Sequence, residues 1–155
     1  MADTPNVQLG PRKLGRSKVT SIPGRCLGIS ARSTLRLIEE VRKGFPYSTL
    51  VRFHKESGLA VGTIADLIRL PPRTMMRRKA EGRLQPDESE RLLRISAVFE
   101  KAVELFEGDA AAARRWLTAP SKELSDKAPL DFARTEIGAQ NVEDMMGRLE
   151  HGVFT

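Results

Sequence analysis

The sequence holds a single cysteine, Cys26, so no disulfide can close within the chain, as expected of a protein kept in a reducing compartment. Its two histidines, His54 and His151, stand far apart and form neither a metal-ligand spacing nor a nucleophile and base pair with Cys26. None of its glycines sits in a phosphate-cradling loop of the Walker or dinucleotide type. We therefore expect no catalytic residue, no metal and no cofactor, and do not read the chain as an enzyme. Aromatic residues make up 5% of the sequence, which leaves few platforms for stacking single-stranded bases. No apolar run approaches the roughly 18–20 residues of a membrane span. The opening segment MADTPNVQLG has neither the charged start nor the apolar middle of a signal peptide, so a cytoplasmic protein without a membrane partner is expected. Strand-like alternation and repeats of fixed period are also missing, which points to an all-α fold.

What is present suits a packed helical protein. Of 155 residues, 40% are hydrophobic and 30% charged, enough to bury a core or two small ones and too apolar for wholesale disorder. The net charge of +6 is unevenly laid out. Residues 1–83 carry 17 Lys and Arg against 6 Asp and Glu, whereas residues 84–155 carry 9 against 14. A basic half attracts polyanions through counterion release and an acidic half repels them, so the division implies two different partners.

Residues 1–28 are rich in Gly and Pro with scattered cations and no apolar period, and read as a flexible basic arm, either a plain leader or a strand that touches DNA. Residues 29–84 read as a helical module. Ser33 is placed to cap a first helix with Leu35, Ile38 and Val41 on its inner face, and a second opens at Pro46 or Ser48, sets Leu50 and Phe53 inward and ends at Gly58. A short amphipathic helix over 58–68 is then separated by Leu70-Pro71-Pro72 from a basic helix over 73–80, the pattern of a helix-turn-helix. Residues 85–155 supply a long linking helix from Pro86 to about Glu107, with Asp87, Glu88 and Glu90 at its positive end. They continue with a helix capped by Asp109, a polar loop, a turn at Pro129 and a last helix striped by Val142, Met145, Met146 and Leu149.

In the basic helix Met75, Met76 and Ala80 are expected to pack inward. That leaves Arg73, Thr74, Arg77, Arg78 and Lys79 on the opposite side, with Arg83 just beyond, as the candidate DNA-binding residues. An α-helix fits the major groove of B-DNA, where arginine pairs with guanine and flanking cations grip phosphates. The stripe also reads as an ordinary solvated face. Duplex DNA is favoured over RNA because no aromatic residue interleaves with the cations. Trp116 reads as interior, His54 as a surface residue and Arg114-Arg115 as a solvated face.

Three segments carry a likeness to a known family: Gly108-Asp109-Ala110-Ala111-Ala112-Ala113-Arg114-Arg115-Trp116-Leu117, then Ala128-Pro129-Leu130-Asp131-Phe132-Ala133-Arg134-Thr135, then Gly147-Arg148-Leu149-Glu150-His151-Gly152-Val153-Phe154. In this order they resemble the Xre/MbcA/ParS-type antitoxins, a likeness that covers about residues 30–155 with an Xre-like helix-turn-helix in front. The resemblance implies an antitoxin of a type II toxin-antitoxin pair that blocks a RES-domain toxin, an enzyme that consumes NAD. It further implies binding to the operon's own promoter, often as a dimer. The implied toxin-binding segment is Glu150, His151, Gly152, Val153 and Phe154. From the residues alone, Val153 and Phe154 equally well fold back to complete the chain's own core. The rival reading of the whole chain is a stand-alone helix-turn-helix regulator without a toxin.

Overall fold

The computed structural model of the chain describes residues 22–152. These form eight α-helices: α1 (Thr34–Lys43), α2 (Ser48–Ser57), α3 (Val61–Leu67), α4 (Pro72–Glu81), α5 (Pro86–Leu105), α6 (Ala110–Thr118), α7 (Pro129–Phe132) and α8 (Glu136–Glu150). Two single 3-10 turns, Arg25–Leu27 and Lys122–Leu124, complete the regular structure, and no strand occurs among the described residues.

Local chemistry sets most of the helix ends. The Ser33 hydroxyl accepts the Arg36 amide and opens α1, the Asp109 carboxylate accepts the Ala112 amide and opens α6, and Thr135 does the same for α8 through Gly138. Gly138, which falls inside α8, is needed for closeness: a Cβ there would stand 1.7 Å from the Phe132 carbonyl oxygen, so α7 and α8 can meet only over a hydrogen atom.

The long helix α5 organises the molecule. Leu92, Ile95, Val98, Phe99 and Ala102 are buried along it, and Phe53 of α2 meets Phe99 edge to face at 5.7 Å. The same continuous cluster takes in Phe45, Leu50, Ile64, Ile68 and Leu84 from the front and Ala113, Leu117, Leu130, Val142 and Met145 from the rear. One core, shared along α5, therefore replaces two separate ones.

Three expectations change. On α1 the inward residues are Leu37 and Val41, while Leu35 is 71% exposed and Ile38 is also exposed. The apolar spacing had two faces to choose from, and packing against α5 selects the one through Leu37. Trp116 is half-buried and lies against Phe106 at 6.3 Å. The end of the expected arm is folded: Leu27 is buried, and the Cys26 amide donates to Glu100 Oε2 at 2.7 Å. Burial, then the Glu100 carboxylate, push the Cys26 thiol far above its ordinary range and keep it protonated. The remainder of the arm, residues 1–21, lies outside the described residues, as do Val153 and Phe154.

Candidate nucleic-acid interface

The turn between α3 and α4 is tight. Arg69 takes φ 57°, and the Leu70 amide returns to the Ala65 carbonyl at 2.8 Å. Ile68 and Leu70 are buried on either side of it, and Pro71 and Pro72 then start α4 where missing amide donors cost nothing. No residue of helix α4 is fully buried, although Met75 packs partly buried against the core, and Gly82 closes the helix in the left-handed conformation with φ 78°. Beyond it the chain pairs with the α1–α2 loop, Tyr47 amide to Gly82 carbonyl at 2.9 Å and Leu84 amide to Phe45 carbonyl at 2.8 Å.

The exposed face of α4 differs from the expected one. Arg73, Met76, Arg77, Lys79 and Ala80 are exposed, while Thr74, Met75 and Arg78 are half-buried. Met76, expected inward, is 71% exposed. Arg78 turns the other way: its guanidinium grips Glu88 of α5 through Nε to Oε1 at 2.8 Å and Nη2 to Oε2 at 3.0 Å, with Glu81 at 3.3 Å from Nη1. The hydrogen bond to Glu88 raises the Arg78 pKa above its ordinary value, so the guanidinium stays charged. Arg78, counted among the DNA-binding candidates from sequence, is thus a strut between α4 and α5 whose charge is already answered. Arg83 donates to the Gly44 carbonyl and fastens the turn after α4. Of the six sequence candidates, Arg73, Arg77, Lys79 and Arg83 are exposed cations with no ion pair among the described residues, and Arg83 differs from the other three in its hydrogen bond to the Gly44 carbonyl.

Sequence reasoning missed Arg69, an exposed cation in the turn itself, and Glu88, whose Oε1 also accepts the Gln85 amide at 2.8 Å and so ties Arg78 to the start of α5. For Arg69 the signal available was a charged residue in a helix-turn-helix turn. For Glu88 it was the third helical position after Gln85, the place where an acidic side chain folds back on a helix start.

The rear of the chain holds the front by arginines placed at the negative ends of helices. Arg91 donates to the Ile68 carbonyl at 2.7 Å, Arg114 to the Ser57 carbonyl at 3.1 Å, and Arg134 to the Asp66 carbonyl at 2.9 Å and to the Asp66 carboxylate. The hydrogen bond to Asp66, ahead of that to Asp131, raises the Arg134 pKa. Arg114, expected on a solvated face, is therefore a fastening residue, whereas Arg115 is exposed. His54, expected at the surface, is half-buried and bonded through Nδ1 to the Leu59 carbonyl at 2.6 Å. These rear arginines are spent on carbonyls and carboxylates of the front. Exposed cations without an ion pair among the described residues form one group on and around α4, Arg69, Arg73, Arg77, Lys79 and Arg83, and others stand elsewhere, among them Arg25, Arg42, Lys55, Arg115 and Lys127.

At the other end of the molecule α8 carries Glu150, then His151 as its C-terminal cap and Gly152 beyond it, all exposed. The proposed toxin-binding segment thus begins on an open helix end rather than in the core, while Val153 and Phe154 are not described. An open cleft of about 600 Å³, lined among others by Arg32, Arg36, Glu40 and Arg52, holds no histidine, no cysteine and no pair of carboxylates. Among the described residues no group of side chains is arranged to hold a metal ion, and no helix is long and apolar enough to cross a membrane.

Fold and site together define a helix-turn-helix protein whose second helix offers unpaired cations and whose rear helices pack onto the front through one shared core. Residues 36–96 match the Antitoxin Xre-like helix-turn-helix domain, and residues 101–152 match the Antitoxin Xre/MbcA/ParS C-terminal toxin-binding domain. The chain is 36% identical over 132 residues to the antitoxin Xre of Yersinia enterocolitica, a stretch covering 84% of this chain and 89% of that one. It is 32% identical over 140 residues to the antitoxin Xre of Photorhabdus laumondii, covering 89% and 95%, and 31% identical over 121 residues to that of Pseudomonas putida, covering 77% and 74%. The chain belongs to the Xre/MbcA/ParS antitoxin family, a non-enzymatic class of regulator, and carries both of its domains.

Proposed function

We propose that this antitoxin binds and inhibits a RES-domain, NAD-consuming toxin by covering its active-site entrance, and that it represses its own operon by binding operator DNA, acting in the cytoplasm. The reading rests above all on the juxtaposition of a toxin-binding domain over residues 101–152 with a helix-turn-helix whose α4 has no buried residue. A helix that packs through Met75 and Arg78 and turns Arg73, Arg77 and Lys79 outward is ready to enter a major groove without rearrangement. Arg73 and Arg77 are assigned to base edges, Lys79 and Arg69 to phosphates, and Thr74, Arg78 and Arg83 to holding the helix in place. Functionally the division falls along α5, with DNA contact before it and toxin contact after it. A homodimer is the assembly proposed, since helix-turn-helix proteins read two half-sites about one helical turn apart and a two-fold dimer matches that spacing.

The toxin contact is assigned to Glu150 through Phe154, supported by the exposure of Glu150, His151 and Gly152 at the end of α8. An aromatic anchor at Phe154 would contribute about 2 kcal/mol or more to affinity. Co-expression of the chain with the reading frame beside its gene, expected to encode a RES-type domain, tests the toxin half of the claim. The full chain is expected to co-purify with the toxin and to halt its NAD consumption, and a chain lacking Glu150 to Thr155 is expected to leave cells unprotected while still folding. Full protection by the shortened chain rejects the tail assignment, and failure of the full chain to capture or inhibit the toxin rejects the RES reading.

A further inference from the structure

Helix α4 reads PRTMMRRKAE, and it holds no asparagine and no glutamine. Those are the side chains that pair bidentately with adenine in the major groove, whereas its arginines suit guanine. Without asparagine or glutamine, an A·T pair facing this helix is open to recognition from its thymine side, where the distinguishing group is an apolar one, the C5 methyl. The helix supplies one large apolar side chain to its outer face, Met76, which is 71% exposed and finds no place in the core cluster. Helical spacing sets Met76 around the helix between Lys79 on one side and Arg73 on the other, away from the half-buried Thr74, Met75 and Arg78, and Ala80 one turn on adds no long side chain to crowd it. A single exposed methionine elsewhere on the surface would need no explanation. Here it sits on the face assigned to DNA, where the other exposed residues between Pro72 and the terminal Glu81 are Arg73, Arg77, Lys79 and Ala80.

We propose that Met76 reads thymine, packing its flexible thioether chain against the C5 methyl and so specifying A·T pairs in a site whose guanines are read by Arg73 and Arg77. The inference rests on the DNA-binding reading above and narrows it to one residue and one chemical group. The experiment selects a binding site from a randomised duplex library with the full-length chain, then replaces each thymine of that site in turn by deoxyuridine, which deletes the methyl and nothing else. At one or more positions per half-site the replacement is expected to weaken binding roughly fourfold, the equivalent of one buried methyl group. Met76→Ala, at an exposed position, is expected to melt at the parent's temperature, to bind the thymine site more weakly, and to lose the distinction between thymine and uracil. A uracil effect of equal size in parent and M76A overturns the assignment, as does its absence in the parent. Enrichment of no duplex at all overturns the DNA-binding reading itself, and the assignment with it.

Discussion

Arg77 and Arg78 are neighbours of the same type, and only their surroundings separate them. Arg77 is exposed and has no carboxylate partner, while Arg78 is 11% exposed at its side chain and closes two hydrogen bonds on Glu88. Replacing Arg78 strands a carboxylate that is itself 5% exposed, and removing one partner from such a pair costs about 2–4 kcal/mol. R78A is therefore expected to lower the unfolding free energy by that amount in denaturant titration, and R77A to change it by less than about 0.5 kcal/mol. Equal effects of the two would mean that the strut between α4 and α5 does not exist in solution. A loss of operator binding in R78A consequently reports on the placement of α4, and R73A and R77A are the variants that report on contact. Nothing in the one-dimensional pattern distinguishes these arginines: the run Arg77-Arg78-Lys79 names a cationic helix, and the choice of which cation turns inward depends on where α5 brings Glu88.

Among the elements, helix starts were the most legible. Ser33, Asp109 and the Pro71-Pro72 pair each act at one position by one hydrogen bond or one missing donor, so sequence alone locates them. Helix faces were less so. The α1 spacing fitted Leu35 and Ile38 as well as Leu37, and only the approach of α5 decides between them. The arginine fastenings were out of reach, because Arg114 and Ser57 or Arg134 and Asp66 are remote in the chain and meet only after folding. Gly58 lies at one such meeting. It takes φ 76°, and a Cβ there would lie 2.2 Å from the Arg114 guanidinium, whereas Gly82 has a similar φ of 78° and open space around it. Gly82→Ala is expected to cost about 1 kcal/mol from backbone strain alone, and Gly58→Ala about 2 kcal/mol because Arg114 must also withdraw from Ser57. Thermal melts that rank the two the other way would contradict this account of how the rear is fastened.

At the scale of the whole molecule, the uneven charge of the sequence foretold two roles, and the structure adds that the two are built on one core. Phe99, Ile95 and Leu92 of α5 cover Phe53, Phe45 and the rest of the front, so a chain cut after residue 84 exposes that cluster. Such a fragment is expected to melt without cooperativity in calorimetry, and a cooperative transition near that of the full chain would show that the front folds alone. The same core gives the antitoxin a fixed relation between α4 and the open end of α8, with arginines of the rear consumed in maintaining it. Of the exposed cations, those on and around α4 are the ones assigned to DNA, and their contacts have a measurable consequence. Operator affinity of the parent chain and of R69A/K79A, followed as a function of salt, tests this most directly. If each of these cations neutralises about one phosphate, the double variant has a salt slope shallower by roughly 1–2 and a weaker affinity at every salt concentration. An unchanged slope and affinity would contradict the claim that the helix-turn-helix meets the duplex backbone with Arg69 and Lys79.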